Sequence, residues 1–228
     1  METAKREMTF LLANAELRLL RAIAATLPDR IRPNHLSGVG VVGAVGAGAA
    51  YALSAIDVRW LWVASLMLVV NWFGDSLDGT LARVRVTERP RYGYYLDHII
   101  DAFNTAAVGV GIGLSPFVEI ELALVLVVVY LMLSVNVYLE STVFGVFKMA
   151  YGKIGPTEGR ILLVIANAAL IGASIWGIPQ SKWGGWVTNA AASALGATML
   201  VVLAIRFGKN LHRLAILEPQ SDGGVSSP

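Results

Sequence analysis

The sequence predicts an all-α fold: an integral membrane bundle of six transmembrane helices with an N-terminal amphipathic helix in the interface. Three observations predict it. The 228 residues are 56% hydrophobic and only 15% charged, with a mean hydropathy of +0.63, a membrane-protein composition. The apolar residues fall into runs near the roughly 20 residues that a spanning helix needs. Of the 18 Lys and Arg, 16 gather in alternate connecting segments or at the span ends beside them, the asymmetry of inside-facing loops.

Composition also excludes. There are no cysteines, so disulfides and thiolate sites are ruled out. A net charge of +2, with no basic-aromatic pattern, gives no support to a nucleic-acid partner.

Residues 1–34 form the first segment. METAKREMTF lacks the apolar core of a cleavable signal, so the first span is expected to act as its own insertion signal. Phe10, Leu11, Leu12, Leu17, Leu19, Leu20 and Ile23 alternate with Lys5, Arg6, Glu16, Arg18 and Arg21, the pattern of an amphipathic helix lying in the interface. Pro28 and Pro33 end it. Asn34 is the expected N-cap of the first span, about 35–56. Gly38, Gly40, Gly43, Gly46 and Gly48 make one face of that span small enough for close helix contact. Five further spans follow at about 60–80, 93–114, 119–140, 159–178 and 186–206. Residues 35–207 are thus read as one membrane domain and 208–228 as a polar tail, its EPQSDGGVSSP end expected to be disordered. No repeat or second domain is visible.

Charge sets the expected orientation. With the N-terminus inside, the inner segments are 1–34, 81–92, 141–158 and the tail, and only Arg59 and Lys182 fall outside. Both termini are then cytoplasmic. Trp60, Trp62, Trp176, Trp183 and Trp186 fall at the outer ends, as an aromatic belt does.

The polar centre of the chain is Asp75 to Asp101, DSLDGTLARVRVTERPRYGYYLDHIID. Asp75 and Asp78 are three apart, Asp97 and Asp101 four apart, so each pair shares one helix face. The basic segment Arg83 to Arg91 lies between, with Pro90 to break the helix. Two antiparallel helices joined there bring four carboxylates together. Such like charges repel strongly unless cations sit among them. Hard oxygen ligands suit Mg²⁺, Mn²⁺ or Ca²⁺, and metals beside arginines point to phosphate chemistry. Gly79, Ala82 and Gly93 leave room for a flat ligand against the backbone.

This stretch resembles the signature of the CDP-alcohol phosphotransferase family, D-x2-D-G-x2-A-R-x8-G-x3-D-x3-D, at Asp75, Asp78, Gly79, Ala82, Arg83, Gly93, Asp97 and Asp101. Nine residues instead of eight separate Arg83 from Gly93. The extra residue falls in the expected connection, where insertions are cheap. The Pro33-Asn34-x-x-Ser37 start also resembles a family pattern near the nucleotide. The resemblance implies transfer of a substituted phosphate from a CDP-linked donor to an alcohol hydroxyl, with release of CMP. It implies two divalent ions, Mg²⁺ or Mn²⁺, on Asp75, Asp78, Asp97 and Asp101, with Asp101 as the catalytic base. It implies CDP binding by Asn34, Ser37, Asp75, Gly79, Ala82, Arg83 and Gly93. It implies a homodimer too, for which Gly109, Gly111 and Gly113 permit close packing.

The donor is expected to be CDP-diacylglycerol, with a small polar alcohol as acceptor. The alternative is transfer from a CDP-linked small alcohol to a lipid hydroxyl. His98 after Asp97, and Gly155-Pro156-Thr157-Glu158-Gly159, resemble short motifs of choline and ethanolamine phosphotransferases. Candidate acceptor-binding residues are His98, Lys148, Lys153, Glu158, Arg160 and Arg206. Positive-inside anchoring accounts equally well for the two lysines. A non-enzymatic divalent-cation transporter is the rival from another class. It needs charge near the bilayer midplane, whereas these aspartates fall at the cytoplasmic ends, and it leaves Arg83 and the glycines unexplained. An assembly protein descended from the enzymes would lack an aspartate, and none is missing.

Overall fold

The computed structural model describes residues 5–6, 13–144, 146–147, 155–177 and 185–219. These contain seven helices: α1 (Ala13–Thr26), α2 (Pro33–Leu53), α3 (Trp60–Val84), α4 (Pro90–Gly113), α5 (Ile120–Phe144), α6 (Pro156–Ile175) and α7 (Gly185–Leu217). Two short strands, β1 (Lys5–Arg6) and β2 (Val146–Phe147), pair in parallel. Phe10 to Leu12, Lys148, Lys153, Lys182 and Trp183 lie outside the described residues.

The protein is an all-α, multi-pass membrane bundle. Among the described residues five helices, α2, α3, α5, α6 and α7, are long and apolar enough to cross a membrane. The sequence reading counts six. The difference is α4, whose 24 residues reach about 36 Å at 1.5 Å per residue. Its length suffices, but Arg91, Asp97, His98 and Asp101 dilute its apolar character. Many large apolar side chains of α5, α6 and α7 face outward, among them Val128, Leu162 and Val201, as a lipid-facing surface requires.

The tightest contact is between α2 and α3, and glycine makes it possible. A Cβ on Gly43 would lie 2.4 Å from the Asn71 backbone nitrogen, and one on Gly74 would lie 2.3 Å from that of Gly40. The two backbones therefore touch, as small residues allow in membrane helices. Asn71 fastens the contact by donating from Nδ2 to the Gly40 carbonyl at 2.9 Å. α2 meets α4 in the same way, since a Cβ on Gly111 would lie 2.3 Å from Gly48 Cα. Gly109 faces Val127 of α5, and Gly113 faces Ile120 and Ala123. These three glycines pack helices within one chain, which removes the basis for expecting them at a dimer contact.

The other helices build outward from this pair. α6 packs on α3, α5 on α4, and α7 on α5. α1 is amphipathic as expected, and its apolar face is covered by protein. Leu20 and Ala24 are buried with Leu36, Leu77 and Leu81 at the end of α3 that carries the first aspartate pair. Arg85 secures the chain after α1, donating to the carbonyls of Ile31 at 2.5 Å, Leu27 at 2.9 Å and Pro28 at 2.9 Å.

Two helix ends correct the sequence reading. α2 starts at Pro33, with Arg32 in extended geometry as its N-cap. Asn34 is therefore inside the first turn and is not the cap. Proline suits that first position because its missing N–H has no helical partner anyway. Pro90 likewise opens α4, while α3 stops earlier by its own device. Thr87 N–H donates to the Ala82 carbonyl and Val86 N–H to that of Arg83, the Schellman pattern. The left-handed residue it requires is Val86, at φ 54°, which is costly for a β-branched side chain. α7 continues to Leu217, ten residues into the segment expected as tail.

Three expectations follow for thermal unfolding in detergent. Gly74→Ala must push α2 and α3 apart and should cost about 1–3 kcal/mol. Gly38→Ala, with nothing within 4 Å of the added carbon, should keep or raise stability, since alanine is the better helix former. Val86→Gly should raise stability by up to about 1 kcal/mol, because glycine adopts this conformation without strain; a loss would show that the valine is not strained.

Candidate active site

The first aspartate pair lies near the C-terminal end of α3 and the second in the first half of α4. Asn71, Asp75 and Asp78 follow i, i+4, i+7 spacing and so share one face of α3. The fields of Asp75, Asp78 and Asp97, together with that of Arg160, reach Asp101, and those of Asp75 and Asp97 reach Asp78. Both helices pack against α2, and the two pairs stand within electrostatic reach of each other.

Each α3 carboxylate is held by the protein. Asp78 is nearly buried, accepts from Ser37 Oγ at 2.6 Å, and accepts from the Gly79 N–H at 2.5 Å. Asp75 accepts from Arg160 Nη2 at 2.7 Å, with side-chain exposures of 26% and 17%. Arg160 Nε donates to Asn71 Oδ1 at 2.9 Å. Asn71 therefore ties α2, α3 and α6 to the same point.

Around this core the other candidates divide. The Arg83 guanidinium lies over Gly79, 3.5 Å from where a Cβ would stand, and donates to Thr80 Oγ1 at 3.1 Å. Ala82 is partly buried. A Cβ on Gly93 would meet nothing within 4 Å, so the space expected there exists. Asn34 Nδ2 donates to the Tyr92 hydroxyl at 2.9 Å, and Arg89 stacks on the Tyr92 ring. His98 is packed between Tyr94 and Tyr138, with ring centroids 4.1 and 4.0 Å away. Glu158 turns back to accept from the Gly155 N–H at 3.0 Å, completing the first turn of α6.

Arg206 belongs to a separate cluster. Its Nε donates to Glu140 Oε1 at 3.0 Å and its Nη2 to Oε2, while Asn136 and Asn210 donate to the same carboxylate. Glu140 is two residues from Tyr138, about 200° around α5, so this clasp points away from His98.

Sequence reasoning missed Asn71, Glu16 and Glu140. Asn71 was findable, since it stands one turn before Asp75 inside an apolar span, where polar side chains are functional or structural by default. Glu16 Oε1 accepts from Trp72 Nε1 at 2.7 Å, Thr157 Oγ1 at 3.0 Å and Ser76 Oγ at 3.2 Å. Only the fold brings those three donors to it.

Two hollows in the surface lie elsewhere. One of about 580 Å³ opens between the α4–α5 connection and the start of α7, and an apolar one of about 470 Å³ is an open groove along the line where α2 and α4 touch. Neither is lined by an aspartate.

Among the described residues no group of three or more acidic or imidazole side chains closes on a single point as a metal site would. Asp75 and Asp78 point instead to Arg160 and Ser37. The donor set nevertheless suits a hard cation: all four candidate ligands are carboxylates, and the fields of Asp75, Asp78, Asp97 and the Arg160 guanidinium reach Asp101.

A membrane bundle that gathers four carboxylates on two helices packed against a third has the make-up of an integral membrane enzyme. The family model for CDP-alcohol phosphatidyltransferases matches residues 30–214, and the chain belongs to that family of transferases. It is also 32% identical over 84 residues to phosphatidylinositol phosphate synthase of Cutibacterium acnes, a match covering 37% of this chain and 38% of that relative.

The ion pair can be measured by a double-mutant cycle of Arg160→Met and Asp75→Asn, followed by thermal unfolding in chelator. Each single change should cost about 1–3 kcal/mol, because the remaining charge is left half-buried. The double variant should lose less than the sum. Zero coupling would mean that the pair contributes nothing to the fold.

Proposed function

We propose that this protein transfers a substituted phosphate, in phospholipid synthesis, from a CDP-linked donor to an alcohol hydroxyl and releases CMP. The observation that carries the reading is the pairing of Asp75 and Asp78 on α3 with Asp97 and Asp101 on α4, spaced as in the family signature. The acceptor oxygen forms a bond to the phosphorus distal to cytidine. The bond from that phosphorus to the bridging oxygen breaks, and CMP leaves with the oxygen and its electron pair.

Asp101 takes the hydroxyl proton, as a base within hydrogen-bond reach must. Asp75, Asp78, Asp97 and Asp101 would hold two divalent ions, Mg²⁺ or Mn²⁺. The chemistry such ions supply when bound is neutralisation of charge on the diphosphate and the leaving group. Arg83, beside Gly79, neutralises the diphosphate, and the open space at Gly93 receives the cytidine. Ser37 and Arg160 hold Asp78 and Asp75 in orientation.

CDP-diacylglycerol is the donor we favour, supported by the relative named for phosphatidylinositol phosphate. The reverse arrangement, a CDP-linked choline or ethanolamine with a lipid acceptor, is favoured by one observation: His98, directly after Asp97, is held by aromatic rings beside Asp101. α4 is read as a sixth span, with both termini and the site on the cytoplasmic side. Residues 1–34, 35–207 and 208–228 are read as interfacial helix, catalytic domain and tail. The working unit is read as a homodimer.

Purified protein should release CMP from one donor class against a panel of acceptors, and EDTA should abolish it. Full turnover in EDTA would end the metal reading. Asp101→Asn should lower the rate by about 10²–10⁴-fold, the range of general-base catalysis, while metal and cytidine-nucleotide binding persist. Asp78→Asn should instead weaken metal binding. More than about a tenth of the wild-type rate in Asp101→Asn would remove its role as base.

A further inference from the structure

We propose that Asn104 is an acceptor-binding residue, whose side-chain amide holds an uncharged oxygen of the acceptor (a hydroxyl or an ester carbonyl) beside the attacking hydroxyl. This rests on the transferase reading and adds to it the chemistry recognised on the acceptor side.

Asn104 follows Asp101 by three residues on α4. It shares the face of the base and lies about 4.5 Å further along the axis, away from the end where α4 begins. It is 6% exposed. Neither its Nδ2 nor its Oδ1 has a hydrogen-bond partner among the described residues. The other buried amides of the bundle are engaged: Asn71 with Gly40 and Arg160, and Asn167 with Ser65.

An unpaired buried amide opposes folding. Packing alone would favour leucine at this position. The amide has one acceptor oxygen and two donor hydrogens, so it complements a hydroxyl or a carbonyl and carries no charge for a phosphate. Of the described arginines, Arg160 is engaged with Asp75 and Arg206 with Glu140, and Arg83 is assigned above to the diphosphate of the donor. From α5, the Tyr130 side chain is reached by the field of Asp101, so the surroundings of the base include a phenolic hydroxyl.

Two sources offer the required oxygen: the neighbouring hydroxyls of a small polyol, and the ester carbonyls of diacylglycerol. The test uses the full chain in lipid nanodiscs and reads CMP release. One arm pairs CDP-diacylglycerol with myo-inositol 1-phosphate or glycerol 3-phosphate. The other pairs CDP-choline or CDP-ethanolamine with diacylglycerol. Asn104→Leu should keep or raise the unfolding temperature, raise the acceptor KM about tenfold or more, the equivalent of one lost hydrogen bond, and leave the donor KM unchanged. Asn104→Ser should recover part of the acceptor affinity. The arm that responds identifies the source.

An unchanged acceptor KM in folded Asn104→Leu overturns the inference, as does an equal rise in both KM values. If the leucine variant does not fold, Asn104→Ala and Asn104→Ser make the same comparison. CMP release with an unaltered acceptor KM defeats this inference alone. No CMP release from any pair defeats the transferase reading and this inference with it.

Discussion

The backbone contact between α2 and α3 is the constraint on which the rest depends. Gly40, Gly43 and Gly74 remove the side chains that would hold the helices apart. In lipid, apolar side chains gain little by choosing one another over acyl chains, so close packing and interhelical hydrogen bonds must hold the bundle. The Asn71 amide provides such a bond at the point of closest approach. It also sets the register: Ser37 of α2 comes opposite Asp78 of α3, and α4 packs against the same helix through Gly48 and Gly111.

From that contact the charges follow. Four carboxylates share one region of the bundle with the Arg160 guanidinium among them, an arrangement that opposes folding unless each charge finds a donor. Asp78 has Ser37 and the Gly79 N–H, and Asp75 has Arg160. These partners orient the acids as well as compensating them. Arg160 stands at the start of α6, so the position of that helix is coupled to the orientation of an acid on α3. The chain Gly40–Asn71–Arg160–Asp75 links a packing contact to the candidate chemistry through three hydrogen bonds.

α1 joins this framework from outside the bundle. Its apolar residues cover Leu77 and Leu81, on the same turns of α3 as Asp78, and Glu16 draws together donors on α3 and α6. Arg85, just past the end of α3, holds the α1–α2 connection. An amphipathic helix that could have floated on lipid is thereby made part of the wall behind the aspartates. The Glu140–Arg206 clasp does the corresponding work between α5 and α7.

The membrane class, the approximate spans and the eight-residue signature were legible in the sequence, because each rests on local pattern. Runs of apolar residues must be helical where no water can satisfy the backbone, and carboxylates three and four apart share a helix face wherever the helix goes. Partners were not legible. Arg206 looked like a cation for the substrate until α5 brought Glu140 to it, and Gly111 looked available to a second copy until α2 filled its face. Asn34 looked like a cap, yet Pro33 had already begun the helix. Glu16, Trp72 and Thr157 are separated by up to 141 residues, and no local rule relates them. Periodicity assigns a residue to a face of its own helix; which neighbour covers that face depends on how the helices pack, and only the tertiary structure decides it.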